Sequence, residues 1–364
     1  MTDAHGPLAG MKIVEFDAIG PAPLAAMILA DLGADVVRIA RAGGGFWENT
    51  GGVVLDRNRP HLNLDLKSPE DRERALDLIG RADALIEGLR PGVMERLGLG
   101  PDLCLQRNPR LAYVRMTGWG QTGPLAPRAG HDLNYIALTG VLHAMGSPDA
   151  PPPVPLNLVG DYGGGAMFAV VGLLSAVTSA RTTGLGQVVD VAMTDGTAVL
   201  SSLFHALSAG GLWTSARGSN LLDGGAPFYR CYGCSDGGFV AVGALEPPFF
   251  AAVVTGLDLD FDPSSQYDQS RWPELAGKLA TAFAARPRDH WTTVFEGIDA
   301  CVTPVLSFAE AAAHPHNQAR ETLATVDGVI QPGPAPRLSA TPGRIDPARR
   351  GGTTFETLRQ RWGG

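Results

Sequence analysis

The sequence predicts an α/β protein, with an open parallel sheet covered by helices on both faces and a smaller α+β domain after it. Short apolar strands alternate with helices over roughly the first 190 residues, which is the pattern of a parallel sheet. The later sequence instead alternates residue by residue, as antiparallel strands do. A chain of 364 residues with 45% hydrophobic and 18% charged residues can build about two such domains.

The first elements form a β-α-β unit. Lys12–Phe16 is an apolar strand, Gly20–Pro23 opens a helix that stops at Gly33, and Asp35–Ala40 is the second strand. Such a unit implies parallel pairing with a right-handed crossover. The glycine fingerprint of dinucleotide-binding folds is missing from Asp17–Pro23, so nicotinamide chemistry is disfavoured.

The alternation continues as far as Ala192. Further strands are predicted at Leu62–Leu66, Ala82–Glu87, Leu111–Met116 and Gly186–Ala192, with helices from Ser68 to about Gly80 and over Met94–Leu97, Gly163–Ala180 and Gly196–Gly211. In open parallel sheets, ligands bind beyond the carboxyl ends of the strands. Arg41, Lys67 and Arg90 all lie at or just beyond predicted strand ends.

The smaller domain follows a change in pattern near Gly224. Pro227–Tyr232 and Gly238–Gly243 read as antiparallel strands, and helices follow over Trp272–Ala285 and Asp289–Glu296. We therefore predict a large domain of residues 1–190 and 325–364 and a small domain of residues 226–318. Residues 191–225 form a linker helix region, and residues 319–324 form a second linker.

Charge and cysteine content exclude several classes of function. A net charge of −8 argues against nucleic acid or an anionic membrane as a partner, so a polyanionic ligand would need a local basic cluster. Four cysteines do not suggest a disulfide framework. Cys231 and Cys234 form a lone CxxC pair, for which ordinary thiols are preferred to a redox or metal site.

No membrane span or export signal is predicted. The first residues lack the charged-then-apolar pattern of a signal peptide, so a cytoplasmic protein is expected. Gly163–Ala180 carries no charge over eighteen residues, near the length of a transmembrane helix. It begins with three glycines and has no partner span, so a helix buried in a soluble domain is the preferred interpretation.

The candidate chemistry lies between Arg115 and Gly165, a stretch with little periodicity. Long irregular connections in compact domains are usually functional. His131 could be a neutral base at pH 7, although a surface or capping histidine is the alternative. Asp161 precedes three glycines that open a helix, where it could be a mere N-cap or could face a substrate whose oxyanion binds nearby backbone N–H groups. A histidine and an acid on opposite sides of one carbon describe proton abstraction next to a carbonyl.

At these residues the sequence resembles the α-methylacyl-CoA racemases of the family III CoA-transferase superfamily, and it looks close to bacterial members. The matching segments span nearly the whole chain: Ala34–Ile39, Asp65–Lys67, Glu87–Gly92, Arg96–Gly100, Met116–Pro124, Gly130–Asp132, Asn157–Asp161, Leu222–Pro227 and Val302–Val305. The sequence departs from relatives at Ala40, at Arg59-Pro60 and in the glycine-rich insert Gly43–Gly52.

The resemblance implies an interlocked homodimer whose large domain is Rossmann-like without the dinucleotide fingerprint. It makes His131 and Asp161 the two acid/base residues, with Glu246 or Asp132 keeping His131 oriented. It also implies that coenzyme A, as part of the substrate rather than a separate cofactor, is held by Arg41, Leu64, Asp65, Leu66, Lys67, Gly88, Leu89, Arg90, Arg96, Gly130, Leu133, Asn134 and Tyr135. No metal is expected.

The expected function is therefore racemisation at C2 of 2-methylacyl-CoA thioesters in lipid metabolism, through an enolate. Three alternatives stay open from the sequence. One is a CoA transferase in which Asp161 is the acyl-carrying nucleophile, another is a non-catalytic acyl-CoA-binding protein, and a more distant one is a dehydrogenase without the fingerprint. Met116, Met145, Met167 and Met193 are either core residues or the lining of an acyl path.

Overall fold

In the computed structural model, residues 5–41, 43 and 52–363 are described, so most of the glycine-rich insert lies outside the described residues. The chain divides into two compact units. The first contains the chain up to Thr139, Pro155–Ser201 and the part from Pro315 onwards. The second contains Gly140–Val154 and Ser202–His314.

The first unit is built on a six-stranded sheet in which every neighbouring pair is parallel. Its strands are β1 Lys12–Phe16, β2 Asp35–Ala40, β3 His61–Asn63, β4 Ala84–Glu87, β5 Ala112–Thr117 and β6 Gln187–Ala192. The spatial order is β3-β2-β1-β4-β5-β6, so the direction of winding reverses between β1 and β4. A crevice opens at such a reversal, beyond the carboxyl ends of the strands. The predicted α/β class is confirmed.

Helices cover both faces of this sheet. They are α1 Pro21–Asp31, α2 Gly52–Leu55, α3 Pro69–Ile79, α4 Val93–Arg96, α5 Pro101–Arg107, α6 Asp132–Leu138, α7 Phe168–Thr183 and α8 Met193–Leu200. One buried cluster packs α1 and α7 on the sheet, and a second packs α3 and α5 on the other face.

A π-helical segment, Leu158–Met167, runs directly into α7. The predicted helix start at Gly163 is wrong, because the helical run begins at Leu158. Glycines explain the difference, because they let α8 approach the π-helical segment closely. A Cβ at Gly196 would lie 1.9 Å from the carbonyl oxygen of Gly164, so neither glycine can be replaced without movement.

The continuous helical run Leu158–Thr183 is the one described helix with the length and composition of a membrane span. Core helices of soluble proteins pass the same test, and 44% of its most apolar window is buried within this chain. Length and composition alone are weak evidence for a span, so the preference for a core helix stands.

Buried ion pairs fix the chain as it re-enters the sheet before β3. Arg59 forms an ion pair with Glu15 on β1, and both side chains are fully buried. Arg57 binds Asp31 at 2.6 Å, and Asn58 donates to the same carboxylate at 2.8 Å. The predicted third strand, Leu62–Leu66, is shorter than expected because pairing with β2 ends at Asn63.

The second unit is a smaller α+β structure, as predicted. Its three-stranded antiparallel sheet has the order β7-β8-β9. Its elements are α9 Ser202–Ala209, β7 Tyr229–Gly233, β8 Phe239–Gly243, α10 Pro247–Gly256, α11 Trp272–Ala284, α12 Arg288–Phe295, β9 Val302–Pro304 and α13 Phe308–Ala313. Helix α10 was not predicted, and the single helix expected over Gly196–Gly211 is two helices, α8 and α9.

The chain after Pro315 returns to the first unit. It forms α14 Pro315–Ala319, the antiparallel pair β10 Leu323–Val326 and β11 Val329–Pro332, and α15 Phe355–Arg361. Leu358 of α15 and the adjacent Trp362 are buried in the cluster beneath α3.

Candidate active site

A cavity of about 670 Å³ opens in the first unit at the carboxyl ends of the strands. That volume is in the range of pockets that bury small-molecule ligands. Its walls come from the loops after β1, β4 and β5, from the start of α6 and from the π-helical segment. The lining residues relevant to the chemistry are Gly20, Arg38, Gly88, Leu89, Arg90, Met116, Trp119, Arg128, Gly130, His131, Tyr135, Asn157, Asp161, Tyr162 and Met193.

His131 lies at the N-cap of α6 with an exposed side chain. Its backbone N–H donates to the side-chain oxygen of Asn134 at 3.1 Å. The hydroxyl of Tyr135 donates to the carbonyl of Gly130, which fixes the peptide that precedes His131. The Tyr135 ring occupies the space a Cβ at Gly118 would need, since such a Cβ would lie 2.0 Å from the ring. The backbone around His131 is therefore held from both sides.

Asp161 lies in the first turn of the π-helical segment and faces the same cavity. Asn157 donates a side-chain N–H to its Oδ2 at 3.3 Å. A Cβ at Gly20 would contact the same oxygen at 3.4 Å, so the loop after β1 comes close to this carboxyl group. Burial raises the pKa of Asp161, the hydrogen bond from Asn157 opposes that rise, and the charge of Asp132 adds to it.

Asp132 binds the backbone of Asp161. Its Oδ2 accepts the Asp161 N–H at 2.6 Å, and its Oδ1 is buried without a hydrogen-bond partner in the described chain. No hydrogen bond joins the Asp132 carboxylate to the His131 ring in the part of the chain that is described, and the predicted role of Asp132 in orienting His131 stays a prediction. The Asp161 N–H is already hydrogen-bonded within the described chain.

The residues predicted to hold coenzyme A divide into two groups. Gly88, Leu89, Arg90, Gly130 and Tyr135 line the cavity. The second group does not line it: Arg41, Leu64, Asp65, Leu66, Lys67, Arg96, Leu133 and Asn134. Of this second group, Arg41 follows β2 and Lys67 follows β3, whose carboxyl ends lie at one edge of the parallel sheet, whereas Arg96 is the last residue of α4. Leu64 is a core residue of the first unit, only 4% exposed.

The loop that carries Arg90 is anchored by a buried carboxylate. Glu87 accepts the Leu89 N–H at 2.7 Å and pairs with Arg115 at 3.0 Å. Arg115 also binds Glu95, at the start of the next short helix, at 2.8 Å. Burial raises the pKa of Glu87 to about 7 against the opposing pull of Arg115.

Several polar lining residues were not among the predicted site residues, including Arg38, Arg128, Asn157 and Tyr162. Arg38 is held by Asp56 at 2.9 Å and approaches Asp17 at 3.7 Å. The spacing of Asn157 and Asp161, four residues apart, was a usable signal, because such residues share one face of a helix. With Arg90, the cavity lining contains three arginines, of which Arg38 is paired with nearby carboxylates.

Met116 and Met193 line the cavity and are also buried core residues, so both earlier interpretations apply to them. No cluster of three potential metal ligands occurs among the described residues. All four cysteines are free, and Cys234 is buried whereas Cys231 is exposed.

Glu246 belongs to the second unit, where it precedes α10. Burial, followed by the charge of Glu246, raises the pKa values of Tyr267 and Cys301 in the same unit. Its predicted support of His131 stays a prediction.

Residues 8–349 match the family model described as CoA-transferase family III. The chain is 44% identical to "Alpha-methylacyl-CoA racemase" of Mus musculus over 97% of its own length and 93% of that protein. It is 43% identical to the protein of the same name from Homo sapiens, over 92% of this chain and 87% of the relative.

A transferase and a solved structure are also similar to the chain. "Acetyl-CoA:oxalate CoA-transferase" of Acetobacter aceti is 34% identical over 95% of this chain and 92% of that protein. The crystal structure of a CAIB/BAIF family protein from Brucella suis superimposes with a TM-score of 0.81. It is 23% identical and covers 99% of this chain and 100% of that one, so it supports the fold.

Proposed function

The chain belongs to CoA-transferase family III, and from that premise we propose that it is an isomerase that racemises C2 of 2-methylacyl-CoA thioesters. One observation carries the proposal: His131 and Asp161 line one cavity in a chain that is 44% identical to a racemase. Two acid/base groups that reach one carbon are the minimum that a racemase without a cofactor needs.

Binding of the substrate would use the basic edge of the sheet. Arg90 lines the cavity, Arg41 and Lys67 follow strands that end at the same edge, and Arg96 ends the short helix after Arg90, so we assign the phosphates of coenzyme A to these four residues. The pantetheine arm would lie along Leu89 and the start of α6. That path leads the thioester to His131 and Asp161.

The proposed reaction is a proton exchange on opposite faces of C2. The thioester carbonyl acidifies the C2 proton, and one of the pair removes it as the C–H electrons form an enolate. The other residue, protonated at the start, donates its proton to the opposite face, and the carbonyl is restored. One proton has then moved from one residue to the other. Each positioned group contributes roughly 10²–10⁴ in rate.

The enolate oxygen needs a hydrogen-bond donor, which typically contributes about 10²–10³ in rate. Because the Asp161 amide donates to Asp132, we assign this task to another donor of the cavity wall. His131 would be kept in orientation by its backbone anchors, and Glu246 would support its ring in the closed site.

The decisive experiment follows the α-proton of both epimers by NMR in D₂O. His131→Ala and Asp161→Ala should each lose exchange by about 10²-fold or more, while coenzyme A affinity in calorimetry stays within a few-fold. His316→Ala is the matched control, since His316 is exposed and does not line the cavity. Unaltered exchange in both site variants would refute the assignment.

A transferase is the second candidate, favoured by the 34% identity to an oxalate CoA-transferase. In that reaction the Asp161 carboxylate would attack the thioester carbonyl, expel the CoA thiolate and carry the acyl group as an anhydride. Turnover would then need a carboxylate acceptor, whereas racemisation needs none. Exchange at full rate without any acceptor would exclude this candidate.

We further propose that the protein is a homodimer. Exposed apolar side chains concentrate on α6, the π-helical segment, α7 and α8: Leu133, Leu138, Leu158, Met167, Val171, Val199 and Leu200. Apolar surface of this extent in a soluble protein usually marks an interface. Sedimentation equilibrium should give twice the 38.1 kDa of one chain. A single-chain mass at micromolar concentration would refute the dimer.

A further inference from the structure

The structure connects the two acid/base residues through Asp132. This aspartate follows His131 directly in the chain, yet its carboxylate turns inward and is only 6% exposed. Its Oδ2 accepts the Asp161 N–H at 2.6 Å, and its Oδ1 has no partner in the described chain. Burying a carboxylate oxygen that has no hydrogen-bond partner destabilises the folded protein, so Asp132 lowers stability at this position.

We propose that Asp132 is a positioning residue for Asp161: its carboxylate fixes the turn that carries Asp161 and places a negative charge beside the Asp161 side chain. This inference rests on the proposed racemase function, and in it Asp132 acts through Asp161. Asp132 then supports Asp161 rather than His131.

The first part of this role is geometric. The turn that carries Asp161 begins at Leu158, so its first N–H groups lack partners within the helix. Asp132 supplies one partner from α6. Gly160 makes room for it, because a Cβ at Gly160 would lie 2.8 Å from Asp132 Oδ2 and 3.1 Å from Ile136. The glycine and the aspartate therefore fit as a pair that sets the direction of the Asp161 side chain.

The second part is electrostatic. Burial raises the pKa of Asp161, and among the charged groups that act on it Asp132 raises it further while His131 lowers it. Tyr135 also interacts electrostatically with this carboxyl group, but it is neutral at physiological pH, and burial raises its pKa further, to about 12. Burial is the largest cause of the raised pKa of Asp161, and the negative charge of Asp132 adds to it.

That shift matters because the proposed reaction needs one proton shared between two residues. In one form of the enzyme the histidine is neutral and Asp161 is protonated, and in the other the histidine is protonated and Asp161 is ionised. Each turnover converts one form into the other. The negative charge of Asp132 beside Asp161 favours the protonated Asp161 carboxyl group, which is the form that donates a proton to C2.

Two variants separate the geometric part from the charge. Asp132→Asn keeps an oxygen for the Asp161 N–H and removes the charge. We expect its kcat for α-proton exchange to fall roughly 10-fold and the acid limb of its pH profile to move to lower pH, since the pKa of Asp161 drops. Asp132→Ala removes the hydrogen bond as well, and misplacement of Asp161 should cost roughly 10²-fold in kcat. KM should change by less than about 3-fold in both, because the carboxylate does not line the cavity.

Asp102→Asn is the matched control, since Asp102 also occupies the first turn of a helix but is exposed and does not line the cavity. If folded Asp132→Asn has the pH profile and kcat of the wild type, the electrostatic part of the proposal is refuted. If the variants change only KM, the positioning part is refuted. If Asp132→Ala does not fold, Asp132→Asn still decides. Loss of exchange in His131→Ala with wild-type behaviour of Asp132→Asn refutes only this inference, whereas normal exchange in His131→Ala and Asp161→Ala refutes the proposed function itself.

Discussion

Replacing Gly196 by alanine tests whether the close approach of α8 to the π-helical segment positions Asp161. The new Cβ would lie 1.9 Å from the carbonyl oxygen of Gly164 and 2.8 Å from its Cα. Ordinary contact begins near 3.4 Å, so the two elements must separate by about 1.5 Å. The neighbour is backbone rather than a flexible side chain, and the strain cannot be relieved by a rotamer change.

Overpacking of this kind costs about 1–3 kcal/mol, which lowers the melting temperature by several degrees in a unit of this size. The catalytic effect should be larger in relative terms. Asp161 lies three residues before Gly164 on the segment that must move, and a displacement near 1 Å in an active site can cost about 10²-fold in rate. We therefore expect kcat for α-proton exchange to fall roughly 10²-fold in Gly196→Ala.

Gly277→Ala is the matched control, because Gly277 lies within α11 and nothing approaches its position within 4 Å. It should raise stability by about 0.5–1 kcal/mol, as alanine does in an open helix position, and leave exchange unchanged. Thermal unfolding and NMR exchange on both variants complete the test. Wild-type stability and kcat in Gly196→Ala would show that the segment and α8 are free to separate, and the positioning argument would be refuted.

Three further predictions concern the walls of the cavity. Tyr135→Phe leaves the Gly130 carbonyl without its donor, so we expect a loss of about 1 kcal/mol and a several-fold lower kcat at unchanged KM; a changed KM would contradict this. Burial raises the pKa of Glu87 to about 7, so the folded state binds a proton that the unfolded state releases, and stability should fall by about 3 kcal/mol as pH rises from 4.5 to about 7. Urea unfolding at several pH values should show a smaller fall in stability for Glu87→Gln than for the wild type. An equal fall in both would refute the role of Glu87. Arg90→Gln should raise KM roughly 10-fold, make KM depend less on salt concentration and leave kcat unchanged. If KM depends on salt equally in the variant and the wild type, Arg90 does not bind the phosphates.

The fold of the first unit could be predicted because its signals are local. β1 and β2 have the predicted bounds, Lys12–Phe16 and Asp35–Ala40, since each is a short apolar run between clear helix and turn signals. The π-helical segment could not be predicted from the same signals. Its form depends on how closely α8 approaches, and the glycines that permit this also read as loop residues in sequence.

Site residues could be predicted when their expected role follows from the chemistry of their own side chain or backbone. His131, Asp161, Arg90 and Gly130 were all expected near one another, and all line the cavity. The bond from the Asp161 amide to Asp132 spans 29 positions and joins two elements, so no local pattern indicates it. Arg38 was missed for the same reason, because its place depends on acids that surround it only after folding.

The π-helical geometry at Leu158–Met167 also constrains the length of the chain here. Hydrogen bonds in a π-helix span one residue more than in an α-helix, so this segment holds residues that an α-helix of equal rise would exclude. Deleting one glycine after Asp161 would let the segment relax to α-helix and turn everything before the deletion by roughly 100° about the axis. The Asp161 carboxyl group would then leave the cavity wall while the composition of the site stayed the same. In this stretch the number of residues, and not only their identity, sets which side chains face the cavity.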